Sequence, residues 1–322
     1  MAVTEIGRPF NGKIWYTLES TYGVVSDPSL TLPISCKVLD VRVGTGDRHV
    51  PLYGIDSSMV CHLLKQTNEP TLHLEYIPQT NDTMIDDIID KVGNCCKLQS
   101  LSFCIIANSC LTGINSSYYK VLGAKPDTVT IAGAKNEPFK VTADFLCKSI
   151  VSCSSTCTPW SNCSVANAPT CSAVSTYPYL QFNVAGEIRK TGGLLVNTDH
   201  IAFITNSINL TFNHNLKGYT DHDALLKTYL VEGKYEIEGT CDITLDGGGA
   251  LHFGEVLANT AFTIELRMGA VATGAPMITL PGCQWKNSEI NLNVSGEAML
   301  ESASFTAKPS DCSGIVSSVP TL

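Results

Sequence analysis

Apolar and polar residues alternate along Val38-Leu-Asp-Val-Arg-Val and again along Ile208-Asn-Leu-Thr-Phe-Asn. A period of two sends successive side chains to opposite faces, so each segment is expected as a strand with one face buried. The same reading predicts strands over residues 71–77, 98–107, 128–132 and 139–145, with counterparts over 235–243, 261–268, 289–294 and 298–307. Two stretches show a helical period instead. Thr220 is placed to cap a helix, with Asp223 three residues on and an apolar stripe at Leu225, Leu226, Tyr229 and Leu230. Asp56 is placed to cap another, carrying Met59, Val60, Leu63 and Leu64. Many short strands broken by Gly, Pro, Asn and Asp turns, with one flanking α-helix in each half, predict a mainly β protein of sandwich or barrel units.

The pattern in one half runs parallel to that in the other. Leu63-Leu64-Lys65 falls on Leu225-Leu226-Lys227, and the apolar run over 98–107 falls on that over 261–268. Val121-Leu-Gly followed by Glu137 and Phe145 matches Leu280-Pro-Gly followed by Glu297 and Phe305, at shifts of 159 and 160 residues. Landmarks in one order at nearly constant spacing predict a tandem duplication. The expected organisation is a first domain over residues 1–150, a Cys-rich interdomain loop over 151–176 and a second domain over 177–322. At 322 residues, each copy is long enough to bury a core of its own.

Composition narrows the class. The chain is 44% hydrophobic and 16% charged, with a formal net charge of −9, which excludes a disordered chain and a general nucleic-acid binder. No run approaches the ~18 apolar residues of a membrane-spanning helix. The segment Met1 to Phe10 carries Glu5 and Arg8 and no apolar h-region, so no secretory signal is expected.

Candidate chemistry is sparse. Asp86-Asp87-Ile-Ile-Asp90 has the spacing of the aspartate-rich motif of isoprenoid enzymes, but that chemistry belongs to an all-α fold, and the segment reads as the polar side of a helix. None of the seven histidines forms a His-x-x-x-His pair. Asp199-His200 and Asp221-His222-Asp223 are explained by turns and caps, and Asp246-Gly-Gly-Gly249 by a hairpin turn. With no nucleophile elbow and no convergent acid–base set, neither an enzyme nor a cofactor is expected. Of 14 cysteines, Cys104 and Cys147 lie in apolar runs and are expected as small buried hydrophobes. Cys153, Cys157, Cys163 and Cys171 lie in a Ser/Thr/Asn/Pro-rich stretch at spacings unlike paired Cys-x2-Cys ribbons. They are expected to staple or simply decorate the interdomain loop, with one zinc as the weaker alternative.

The opening segment Lys13-Ile-Trp-Tyr-Thr-Leu-Glu19-Ser20-Thr21-Tyr22-Gly23 resembles the N-terminal signature of tail tube proteins of long-tailed (siphovirus-like) viruses of bacteria or archaea. The ending resembles them too, through Leu280-Pro281-Gly282, the turn Ser295-Gly296-Glu297 and a last strand closing on Phe305-Thr-Ala. The resemblance implies a β-sandwich with a flanking helix that assembles into stacked rings, hexameric for one-domain members and trimeric with pseudo-sixfold symmetry for two fused copies. It implies a structural virion protein that conducts viral DNA without specific binding. Its implied partners are itself and the tail terminator, tape-measure and distal tail proteins, with no membrane, in a particle assembled in the host cytoplasm. The rival readings are the inner tube of a contractile injection or secretion system and a cell-surface, adhesin-like β-sandwich pair. Residues 1–150 hold 13 basic and 15 acidic residues, and residues 151–322 hold 8 and 15. Glu236, Glu238 and Asp242 share one parity of their strand, so some of this acidic face is expected to line the channel, where it would not attract phosphate, with an outer solvated face as the alternative.

Overall fold

The computed structural model describes residues 13–24, 32–33, 38–46, 49–53, 60–65, 68–78, 83–90, 97–107, 117–134, 137–153, 187–192, 201–202, 205–221, 226, 228–244, 256–268, 276–291, 300–308 and 315–318. The protein is mainly β. Its first half runs β1 (Lys13–Leu18), β2 (Leu32–Pro33), β3 (Val38–Gly44), β4 (His49–Tyr53), β5 (Val60–Lys65), β6 (Thr71–Tyr76), α1 (Met84–Ile89), β7 (Leu101–Ala107), β8 (Ser117–Ala134), β9 (Lys140–Leu146) and β10 (Ser149–Cys153). There follow β11 (Glu187–Gly192), β12 (Ile201–Ala202), β13 (Thr205–Asn213), β14 (Lys217–Tyr219), β15 (Tyr229–Val231), β16 (Glu236–Thr244), β17 (Phe262–Arg267), β18 (Pro276–Asn291), β19 (Leu300–Ala307) and β20 (Val316–Ser318).

Sixteen of these strands join in one antiparallel network, and its pairings repeat. In the first half β2 pairs β1, β1 pairs β7, β7 pairs β8, and β8 pairs both β10 and β9; β9 pairs β6 and β6 pairs β3. In the second, β12 pairs β11, β11 pairs β17, β17 pairs β18, and β18 pairs both β20 and β19; β19 pairs β16 and β16 pairs β13. The hairpins β4–β5 and β14–β15 stand apart from the network in both. Details recur as well. A register shift lies between Val38 and Asp40 in β3 and between Thr205 and Ser207 in β13. Another follows Pro126 in β8 and Trp285 in β18.

The two longest strands, β8 and β18, serve two sheets each. Gly123 (φ 62°) and Gly282 (φ 65°) sit where each strand leaves one sheet for the other. A positive φ with no Cβ penalty lets the chain turn there without breaking the ladder. An added Cβ on Gly123 would stand 2.9 Å from the Tyr22 ring and 2.7 Å from Cβ of Lys148.

A single cluster of buried apolar side chains runs through both halves, from Ile14 and Tyr16 to Phe305 and Ile315. Each half centres on edge-to-face aromatics: Phe103 with Phe145 at 5.1 Å, and Phe262 with Phe305 at 6.2 Å. Helix α1 buries Met84, Ile85, Ile88 and Ile89. The Tyr16 hydroxyl holds it to β1 through Thr83 Oγ1 (2.9 Å) and Asp87 Oδ2 (3.0 Å). Asp86 is exposed, in keeping with a polar helix side.

Two expected helices are corrected. Val60, Leu63 and Leu64 lie in strand β5, paired with β4, and Tyr229 and Leu230 lie in strand β15, paired with β14. Helices this short are marginal on their own, and an adjacent segment able to close a hairpin satisfies the same backbone groups. Thr220 follows β14, and Thr228 N donates to Tyr219 O across the hairpin. Asp56, Met59, Asp223 and Leu225 lie outside the described residues.

Packing over β16 is tight enough to test. A Cβ on Gly239 would meet the Phe305 ring at 2.1 Å, so Gly239→Ala is expected to lower stability by about 1–3 kcal/mol. Thr240→Ala, one residue along on the exposed face, should change it by less than about 0.5 kcal/mol. Denaturant melts of the two variants check the contrast.

Candidate functional site

Eight strands form a continuous band in the order β3-β6-β9-β8-β13-β16-β19-β18, the last through its C-terminal half. At about 4.8 Å per strand the band is ~34 Å wide. Its inner face carries Leu72, Leu74, Ala143, Phe145, Val129, Ile131, Leu210, Phe212, Ile237, Ala303 and Phe305, all buried. The period of two turns the intervening residues outward. One row of outward cross-strand neighbours reads Asp40, Glu75, Thr142, Thr130, Thr211, Glu238, Thr306 and Gln284 across all eight strands. A broad wall of hydroxyls, amides and carboxylates covers the core.

The charge on this wall is negative. Asp40, Glu75, Asp144, Glu236, Glu238, Asp242 and Glu289 share it with the cations Arg42, Lys140, Lys234, Lys286 and Lys308, the last bonded to Gln284. Arg42 Nη2 lies 2.6 Å from Asp40 Oδ2, and Lys286 pairs with Glu238. His73 Nδ1 meets Asp144 Oδ1 at 2.6 Å across β6 and β9. Glu236 hydrogen-bonds Lys234 at 2.8 Å, and this contact holds its carboxyl below the usual range. Asp242 accepts from Ser207 Oγ (2.6 Å) and Ser302 Oγ (2.8 Å), linking β13, β16 and β19. Glu236, Glu238 and Asp242 therefore stand together on one outward face, as their shared parity implies. The cross-strand pairs His73–Asp144 and Lys286–Glu238 were not legible beforehand, because pairing register is set by long-range contacts.

The two halves meet within this wall. β13 pairs β8 from Ser207 opposite Ala134 to Asn213 opposite Thr128. Behind the ladder Lys125 Nζ meets Glu232 Oε1 at 2.7 Å, both nearly buried, and Leu98 N donates to the same oxygen at 2.9 Å. Asp127, the extra residue of the β8 bulge, accepts from Leu216 N through its carboxylate (2.7 Å) and from His214 N through its carbonyl (2.8 Å). Tyr235 Oη donates to Ile89 O at 3.2 Å.

The Glu19-Ser-Thr-Tyr-Gly23 element is a structural clamp. Glu19 is 2% exposed. Its carboxylate accepts from Gly23 N (2.7 Å), Gly123 N (2.8 Å) and Ser102 Oγ, and Gln99 Nε2 donates to its carbonyl. One side chain thus fastens the end of β1, the following turn, β7 and the corner of β8. Charge-assisted bonds of this kind are the strong ones. Tyr22 closes the clamp, with Lys148 Nζ 5.3 Å from its ring centroid. Burial, reinforced by Cys147 and Glu19, pushes its phenol above the ordinary range.

Cys147, Cys241 and Cys283 are buried free thiols. Burial holds the Cys241 thiol well above its usual range and pushes that of Cys283 up to about 12. Cys104, 1% exposed, departs from the expected free hydrophobe: it is disulfide-bonded. Cys153 ends β10; Cys157, Cys163 and Cys171 lie outside the described residues.

No protein-family model matches the chain, and no curated protein does. Among solved structures it is similar to a chain of the cryo-EM structure of the anti-feeding prophage baseplate, six-fold symmetrised. The match has 9% identity and a TM-score of 0.32 and covers 40% of this chain and 91% of that one. A likeness this slight carries no argument about function.

Two outcomes are expected. Glu19→Ala strands the Gly23 and Gly123 amides and should lower stability by about 3 kcal/mol, read by denaturant unfolding. Cys147, Cys241 and Cys283 should resist alkylation at pH 7.5 in the folded chain and react only on unfolding, read by mass spectrometry of the labelled peptides.

Proposed function

We propose that the chain is a structural virion protein, the major tail tube subunit of a long-tailed virus, and that it acts by assembling with copies of itself rather than by catalysis. The observation that carries this reading is the eight-stranded band. Among the described strands, neither β3 nor the C-terminal half of β18 has a partner on its outer edge. Open sheet edges are an invitation to pair, and closure into a barrel removes them.

The repeated pairings support two tandem tube domains, over 1–150 and 177–322, with β10 carrying the first to Cys153 and so shortening the joining segment expected over 151–176. Three such chains would make a ring of six similar units, and stacked rings a tube. The polar wall carries more carboxylates than cations, and Arg42 and Lys286 among those cations are held by carboxylates, which suits a channel that passes DNA without adhering to the phosphates. On this reading Glu236, Glu238 and Asp242 face the lumen, and the chain works in the virion tail beside the terminator, tape-measure and distal tail proteins. No helix among the described residues is long and apolar enough to cross a membrane.

Negative-stain electron microscopy of the purified chain over a dilution series tests this. Rings or tubes with a central lumen are expected at high concentration. Monomers at every concentration would contradict the proposal. In a reconstruction, Glu236, Glu238 and Asp242 on the outer surface would overturn their assignment to the channel.

A further inference from the structure

The join between the two halves contains the instructions for a second join, between molecules. A row of cross-strand neighbours in the first half runs Val43, Leu72, Phe145, Pro126. Its counterpart runs Leu210, Gly239, Phe305, Trp285. Each row starts beyond the bulge of its first strand and ends beside the bulge of its last. Val43 thus occupies the place of Leu210, and Trp285 the place of Pro126.

Within the chain, Leu210 lies opposite Ile131, five residues past Pro126, with Asn209 opposite Ala132 and Thr211 opposite Thr130. Five residues past Trp285 is Ile290. We infer that the outer edge of β3 in one copy pairs antiparallel with the C-terminal half of β18 in the next, with Val43 opposite Ile290, Arg42 opposite Asn291 and Gly44 opposite Glu289. This rests on the tube reading and specifies its contact.

Burial at the two joins supports the assignment. Ile208 and Leu210, at the closed join, are 2% and 0% exposed, whereas Val41 and Val43, in the matching places on β3, are only half-buried. On the facing strand Val129 is fully buried and its counterpart Ser288 is not. A neighbouring strand would complete the cover. Charge agrees: Arg42 is held on one side by Asp40, and the pairing brings the exposed Glu289 to its diagonal on the other, within reach of a long side chain.

The geometry also sets the kind of assembly. Within the band, β13 and the matching half of β8 pair with each other inside the chain, so among its described strands the two outer edges are one on β3 and one on β18. Two different edges that fit each other make a head-to-tail contact, which yields closed rings or filaments rather than two-fold dimers.

Cysteine cross-linking reads the register. Arg42→Cys with Asn291→Cys, mildly oxidised at ring-forming concentration, should give a covalent ladder of chains on non-reducing gels well above the unsubstituted protein. Arg42→Cys alone, Asn291→Cys alone, and the two-residue slip Arg42→Cys with Glu289→Cys should stay near that background. Rings without a ladder from the matched pair would place the join elsewhere and leave the tube reading standing. A ladder or dimer band from Arg42→Cys alone would replace this contact by β3 on β3. Absence of assembly in the unsubstituted chain would remove both proposals. As a check that spares the backbone, Arg42→Glu should raise the concentration at which rings form by roughly two- to fivefold, and adding Glu289→Arg should restore it. A double variant no better than the single would count against the contact.

Discussion

The ladder between β13 and β8 is the constraint on which the rest of the molecule depends. It turns two sets of strands into one sheet and aligns Leu210 with Ile131 so that one core continues beneath both. A slip of one residue would send Leu210 and Phe212 outward and bury Asn209 and Thr211. The contacts around the ladder guard against such a slip. Asp127 receives two amides from the chain just after β13, and Glu232 neutralises Lys125 where both charges are nearly buried. Removing one member of a buried pair is far more damaging than the pair is stabilising, so this contact specifies the arrangement more than it strengthens it.

The wall and the core are two consequences of the same alternation. Where β8 and β18 leave the band, a glycine at positive φ and a bulge let each strand join a second sheet, so that apolar side chains are covered from both sides. Glu19 fixes the first of these corners through Gly123. Among the described residues the second corner shows no carboxylate in that place; Lys308 N donates to Gly282 O there, at 3.3 Å. The repeated pairings thus rest on unlike local contacts.

Much of the band was legible from the period of two. β3, β6, β9, β13, β16 and β19 fall within a few residues of their expected places, because each has one face in the core and one in water. The extended N-terminal parts of β8 and β18 were hidden, since Gly123, Pro126, Pro281 and Gly282 read locally as turns and become strand only through long-range pairing. Leu63-Leu64 and Leu225-Leu226 carry a helical spacing that hairpin partners override in β5. Glu19 could be singled out as part of a motif, but not as a carboxylate buried against three donors. The disulfide at Cys104 had no local signal, because an apolar run suits a bonded and a free cysteine equally.

Through the proposed contact the molecule continues its own sheet into a copy of itself. Hydrogen–deuterium exchange on dilute and assembled protein tests that most directly, because an amide on an open edge exchanges with water and one in a ladder does not. Strong protection of β3 and of residues 287–291 is expected on assembly, with β13 and residues 128–134 protected in both states. Assembly with β3 exchanging as fast as in the dilute chain would contradict that contact.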